Sequence, residues 1–304
     1  MKRILCALIL HLLVYHLATA VTDTLRYRDI IFKQVKIDSL VYSTQNGAPL
    51  YMDVYQPAGD TAHHRPLIIL AHGGSFMHGN RRSDCLPAMC RDLALRGYVV
   101  ASIEYRLTNL LGMATKHNAY NSIIKAVADG RNCVRWFINN AARGNTFGIN
   151  PDNIFFGGSS AGAILAEHLA YLDGVAKCSP ALCNACKTCL ADTDALPPHA
   201  IRGCISLAGA VLDTNLICTG GPALLHIQGD VDHVVPFLYK RPISGLAPFR
   251  LAGLGACRNR YQTQQLHFTE YVFKNGGHTP WDRDPTALKI VVEQMVGFVG
   301  REMK

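Results

Sequence analysis

Apolar residues fall in two rhythms along the chain, short unbroken runs and stretches at helical spacing, and the two alternate. Residues 37–42 and 50–55 read as short strands, and Gln45-Asn46-Gly47 between them is a turn signal that suits a hairpin. Residues 67–71 form a continuous apolar run, as expected of a strand buried on both faces. Residues 98–103 repeat it after a helical stretch over 86–96 that Gly97 ends. Ile123, Ile124, Val127, Val134, Phe137 and Ile138 give a helix over 122–142 one apolar face. Asn150-Pro151-Asp152 reads as a turn, 153–157 as the next strand and 161–172 as a helix. Further strands are predicted at 201–207, 223–228 and 266–273, and a closing helix at 286–303. This order predicts an α/β fold in one domain: a mostly parallel central sheet with helices on both faces.

Two segments break the alternation. Residues 173–198 carry Cys178, Cys183, Cys186, Cys189 and the Pro197-Pro198 breaker, and read as a small cysteine-rich insertion. Residues 239–265 contain Pro242, Gly245, Pro248, Gly253 and Gly255 and are expected to be loop-rich. The first twenty residues stand apart from both. Lys2 and Arg3 precede an apolar run to Leu17, and Ala18-Thr19-Ala20 offers small residues for cleavage, so 1–20 read as a signal peptide and 21–304 as the mature domain. A membrane anchor would need about 20 apolar residues, and this run is shorter and broken by His11 and His16. The expectation is therefore an exported protein, secreted or periplasmic, with no stable membrane anchor once the leader is gone.

Cysteine usage bears on the compartment. Of 11 cysteines, Cys6 leaves with the leader, and the even remainder suits disulfides outside the reducing cytosol. Thiols three apart are also common zinc ligands, but export favours disulfides. The formal charge of +8 is spread along the chain, with Arg81-Arg82 a tight basic pair beyond the leader. A nucleic-acid binder would concentrate it in a stripe, so no nucleic-acid partner is expected.

The chemistry gathers at strand ends. Gly158-Ser159-Ser160-Ala161-Gly162 lies between an apolar strand and a helix and fits G-x-S-x-G. A hydroxyl presented at a strand tip requires a sharp turn into the helix, and residues two before and two after the serine approach too closely for side chains. Ser160, with glycines at both offsets, is the candidate nucleophile; Ser159 lacks them. A serine hydroxyl is a weak nucleophile and needs a base, and the oxyanion it generates needs donors. His72-Gly73-Gly74-Ser75-Phe76 follows the 67–71 strand, so the N–H groups of Gly74, Ser75 and Ala161 are the candidate oxyanion hole, with His72 structural. Past later strands come Gly229-Asp230-Val231-Asp232-His233-Val234-Val235-Pro236 and Gly276-Gly277-His278. These place an acid, Asp230 or Asp232, and the base His278 in the expected order. Phe76, Met77 and Trp281 are candidates to line an apolar substrate pocket, or simply to pack.

The motifs HGGSF, GSSAG, GDVDHVVP and GGH together resemble the α/β-hydrolase superfamily, closest to its carboxylesterase branch of HGG-type esterases and feruloyl or acetyl-xylan esterase relatives. The resemblance runs from about Leu40 to the C-terminus. It implies Ser160 as nucleophile, His278 as base and, through the pattern G-x-x-D-x-x-V-P, Asp232 rather than Asp230 as the acid. Many relatives have a third glycine where Ser75 stands, and the cysteine-rich insertion is not a general family feature; it follows the nucleophile helix, where lids often arise. The implied activity is hydrolysis of small-molecule or polymer-linked carboxylic esters through an acyl-enzyme, a mechanism that requires no metal or organic cofactor. Two alternatives stand beside it. An exopeptidase of the same fold would usually carry a propeller or large cap, and an inactive hydrolase fold used for binding would be expected to have lost one of the three residues. The oligomeric state is not legible.

Overall fold

The structure, a computed structural model, describes residues 25–191 and 195–303; the expected leader at 1–20 lies outside them. Strands β1 (Val35–Gln45) and β2 (Ala48–Pro57) form an antiparallel hairpin. Asn46 and Gly47 turn it at φ of 51° and 79°, the mirror-image turn whose twist matches paired strands. Next come β3 (Arg65–Ala71), α1 (Leu86–Leu95), β4 (Val99–Ile103), α2 (Lys116–Ala142), β5 (Ile149–Ser159), α3 (Ala161–Ala170) and α4 (Pro180–Cys189). The chain closes with β6 (Gly203–Leu207), β7 (Ala223–Gly229), a small ribbon of β8 (Tyr239–Lys240) and β9 (Leu251–Ala252), α5 (Leu254–Thr263), β10 (Phe268–Phe273) and α6 (Pro285–Glu302).

Among the described residues the main sheet runs β1-β2-β4-β3-β5-β6-β7-β10, parallel from β4 onward. Its two faces bury different partners. Leu67 and Ile69 of β3 join the core beneath α2, α3 and α4, with Ile123, Val127, Phe137 and Leu165. Ile68 and Leu70 point the other way, into Met89 and Leu93 of α1 and Val291, Met295 and Phe298 of α6. Every residue of β3 is buried, which is why its sequence shows no polar alternation. Fully burying each Leu or Ile here contributes about 1.5–3 kcal/mol, so the central strands anchor everything their ends carry.

Four expectations change on contact with the structure. Helix α2 starts at Lys116 rather than 122, because the Thr115 hydroxyl accepts from Asn118 N–H at 3.1 Å and caps it. Asn150-Pro151-Asp152 is an irregularity inside β5 rather than a turn before it: Arg65 pairs with Ile149 but Leu67 with Ile154, so extra residues bulge outward. The region 239–265 contains the ten-residue helix α5, which buries Leu254, Cys257 and Tyr261. Its start is fixed by a distant partner, since buried Gln228 Oε1 accepts from Leu254 N–H at 2.9 Å. The fourth change concerns 173–198, where α4 packs on α2 and sinks Leu182, Ala185 and Cys186 into the core.

The expected disulfides are not seen among the described residues. Cys90, Cys133, Cys204 and Cys257 are buried on separate elements, where they pack as small apolar side chains. Cys183, Cys186 and Cys189 are spread along one helix. Cys183 Sγ lies 3.7 Å from the Cys178 carbonyl and Cys189 Sγ 3.6 Å from that of Asn121. Among the described residues no three or more His, Cys, Asp or Glu side chains are gathered to hold a metal ion. No described helix is long and apolar enough to cross a membrane.

Candidate active site

The carboxyl ends of β3, β5, β7 and β10 lead into the loops that carry the motifs. At the tip of β5 the backbone of Ser160 sits at φ 54°, ψ −116°, outside the ordinary regions, and α3 begins at the next residue. The turn is held on both sides. Ser160 N–H donates to the Leu207 carbonyl at 2.8 Å, and its own carbonyl accepts from Ala163 and Ile164 N–H at 3.0 Å each. A Cβ on Gly162 would lie 2.1 Å from the Ala71 carbonyl oxygen, and one on Gly158 would lie 2.5 Å from the Gly162 carbonyl carbon. No side chain fits at either offset, as the close approach across such a turn requires.

Three side chains separated by 46 to 118 positions meet here. His278 Nε2 lies 2.9 Å from Ser160 Oγ, and His278 Nδ1 lies 2.7 Å from Asp232 Oδ2. The second oxygen of Asp232 accepts from Val234 and Val235 N–H at 2.8 and 3.0 Å. The carboxylate is wholly buried, whereas the imidazole is partly exposed. Gln228 steadies the acid's loop by donating to the Val235 carbonyl at 2.9 Å. Asp230, the rival acid, is exposed, as is His233. With Asp232 ionised and bound to Nδ1–H, Nε2 carries the free lone pair and the arrangement can take a proton from Ser160.

Beside the serine, Gly74, Ser75 and Phe76 occupy the left-handed region in succession, at φ of 109°, 53° and 62°. The Gly74 carbonyl accepts from Met77 and His78 N–H, coiling the loop so tightly that a Cβ on Gly74 would lie 2.0 Å from the His78 oxygen. Ser75, standing where many relatives have glycine, takes the same backbone conformation without one. The N–H groups of Gly74 and Ser75 find no acceptor among the described residues. Ala161 N–H, at the start of α3, has none within the helix.

His72 is buried behind this loop, its Nδ1 2.6 Å from the Gly73 carbonyl and its ring stacked on Tyr105 at 4.4 Å. Burial lowers its pKa, so it stays neutral and structural. Tyr105, in the Glu104-Tyr105-Arg106-Leu107 stretch that fits the family resemblance, has no role legible in the sequence. Its hydroxyl donates to the His72 carbonyl at 2.8 Å and fixes the first half of the loop from below. Asp84 was missed: a methyl group on Gly73 would lie 3.4 Å from Ser160 Cβ and 3.8 Å from Asp84 Oδ2, which puts a second carboxylate at the rim. Of the three pocket candidates, Phe76 and Trp281 are packing residues. Phe76 sits edge-on to Tyr105 and Trp281 lies against Phe273, both almost fully buried, while Met77 is half-buried.

A family model described as BD-FAE matches residues 52–210, more than half of the chain. Esterase-5C of Drosophila miranda is 33% identical over 123 residues, 40% of this chain and 21% of its own length. Carboxylesterase 1C of Rattus norvegicus is 31% identical over 168 residues, 55% of this chain and 25% of its own. The chain thus spans about a quarter or less of these curated relatives. Among solved structures, Thermogutta terrifontis esterase 2 phosphorylated by paraoxon superposes with a TM-score of 0.64 at 18% identity, covering 86% of this chain and 93% of that one. The propionate-bound form of the same esterase gives 0.65 over 87% and 94%. At that identity the likeness is one of fold.

Proposed function

The chain belongs to the BD-FAE family, an α/β-hydrolase esterase domain, and on that premise we propose that it is an exported carboxylic ester hydrolase with Ser160 as nucleophile. The observation that carries the proposal is the unbroken hydrogen-bonded series from Ser160 Oγ through His278 to Asp232. The matched esterases, one of whose structures is described as bound to propionate, agree with an acyl-transfer site.

In the proposed reaction Ser160 Oγ attacks the ester carbonyl carbon as its proton passes to His278 Nε2. Asp232 holds Nδ1–H and offsets the imidazolium charge. The carbonyl oxygen becomes an oxyanion that takes hydrogen bonds from Gly74, Ser75 and Ala161 N–H, each donor worth about 3 kcal/mol. Breaking the bond to the alcohol oxygen, with the proton from Nε2 going to that oxygen, leaves Ser160 acylated. Water then attacks the acyl carbon by the same route, and the acid departs with Ser160 restored. The leader reading adds export, with the mature chain starting after Ala20.

Hydrolysis of short p-nitrophenyl acyl esters tests the activity. Replacing Ser160 with Ala should lower kcat by on the order of 10⁶, the cost seen when a triad member is removed. Unchanged turnover in that variant would discard the assignment. Amino-terminal sequencing of protein recovered outside the cytoplasm should begin at Val21, and a chain still starting at Met1 would remove the export step.

A further inference from the structure

Large apolar side chains that remain exposed are concentrated around the site. Eight of the eleven among the described residues lie on two segments, 107–111 and 231–246. Leu110 and Leu111 are 75% and 74% exposed, and Leu246 is 82% exposed. The one-turn helix Leu110–Met113 buries none of its residues. Polar caps hold its ends: Asn109 accepts from Gly112 N–H at 3.0 Å, and the Asn118 amide donates to the Leu111 carbonyl at 3.2 Å. With Met113 packed against the core, the turn holds Leu110 and Leu111 fixed and outward, an apolar surface that awaits a partner.

Both segments are tied to the catalytic loops. Thr108 N–H donates to the Phe76 carbonyl at 2.8 Å, next to the oxyanion loop, and Ile243 N–H donates to the Val234 carbonyl at 2.8 Å, next to Asp232. Beyond them along the chain, the buried rings of Tyr120 and Phe249 meet edge-on, 6.3 Å apart, and bring the two stretches together. Charge selects the partner. Exposed cations outnumber exposed acids here: Lys116, Lys240, Arg241 and Arg250 are all exposed, and beside them Asp230 is an exposed carboxylate while Asp232 is buried against His278. Lys116 lies over the Tyr120 ring and Arg250 over that of Tyr239, which places cations beside the apolar side chains.

We propose that this face docks on an anionic lipid surface, with the leucines among acyl chains and the cations at head-group phosphates, so that Ser160 opens onto the esters of a lipid aggregate. The proposal rests on the esterase reading for its substrate, though not for the docking itself.

Co-sedimentation with lipid vesicles, using full-length Ser160→Ala so that docking is read without turnover, tests it. Binding is expected to vesicles containing phosphatidylglycerol, weaker to pure phosphatidylcholine, and weakened by added salt. Lys240→Gln with Arg241→Gln should lower the partition coefficient by at least about tenfold, and Leu110→Ser with Leu111→Ser by about tenfold. In the active protein the leucine variant should keep its turnover of soluble p-nitrophenyl acetate and lose turnover of vesicle-borne esters. Absence of binding to anionic vesicles, binding equal in all variants, or a dimer abolished by the leucine substitutions would each overturn the docking proposal. Failure of the esterase reading would show separately, as hydrolysis unchanged by Ser160→Ala.

Discussion

Replacing Asp232 with Asn is the most informative single change at the site. The substitution keeps shape and volume, so the outcome depends on where the amide puts its NH2. Oδ1 faces two donors, Val234 and Val235 N–H, at 2.8 and 3.0 Å. An NH2 there would meet two N–H groups, so the amide must turn its oxygen to them and its NH2 to His278 Nδ1, 2.7 Å from the other position. Nδ1 then has to accept, and the imidazole proton moves to Nε2. Nε2, 2.9 Å from Ser160 Oγ, becomes a donor and cannot take the serine proton. The fold survives while the base is lost. By analogy with the serine-protease triad, where the equivalent exchange lowers kcat about 10⁴-fold, a barrier increase of about 5.5 kcal/mol is expected here. Asp232→Ala imposes no tautomer and should retain at least as much activity as the Asn variant. The assay is kcat for p-nitrophenyl acetate at neutral pH, with circular dichroism to verify folding. An Asn variant within tenfold of wild type would refute the tautomer argument.

Gly162→Ala should be destabilising beyond the usual 1–3 kcal/mol for overpacking, because its Cβ would lie 2.1 Å from a backbone oxygen; a melting temperature within a degree of wild type would contradict this. Arg106→Ala strands the fully buried Asp129 carboxylate without its cation and should cost about 3–5 kcal/mol, read from the urea midpoint. Glu167 is fully buried, and desolvation pushes its pKa up to about 8 against the Ser206 hydroxyl bond that opposes it. A carboxyl whose folded pKa is raised stabilises the fold below its unfolded pKa, and that stability is lost as pH rises through about 8. Glu167→Gln should therefore gain stability relative to wild type between pH 6 and 9. Parallel melting curves across that range would refute the assignment.

The sequence reads most clearly where one physical demand dominates. Leu67 to Ala71 shows an unbroken apolar run because both faces of β3 are covered, and Gly158 and Gly162 mark the strand tip because a backbone oxygen occupies the space a side chain would need. The hairpin is legible from Asn46-Gly47 for a similar local reason. Helix α5 is not, since two glycines obscure its start and the group that caps it, Gln228, lies 26 residues away. Asp84 was missed and the role of Tyr105 was not read, because no local pattern distinguishes a hydroxyl that will brace a loop, or a carboxylate that will border a serine, from their surface counterparts. The cysteines misled in the opposite direction. Their even number outside the leader suggested pairing, whereas four of them occupy small apolar niches and three share one helix.

The account stands on Ser160 being the atom that becomes acylated, and a covalent trap examines that directly. A fluorophosphonate probe, which reacts with an activated serine and not with an ordinary one, should label the protein once, on the peptide containing Ser160 as located by mass spectrometry. The label should vanish in His278→Ala. Labelling of Ser159 or another residue, or full ester hydrolysis by protein that takes no label, would contradict it.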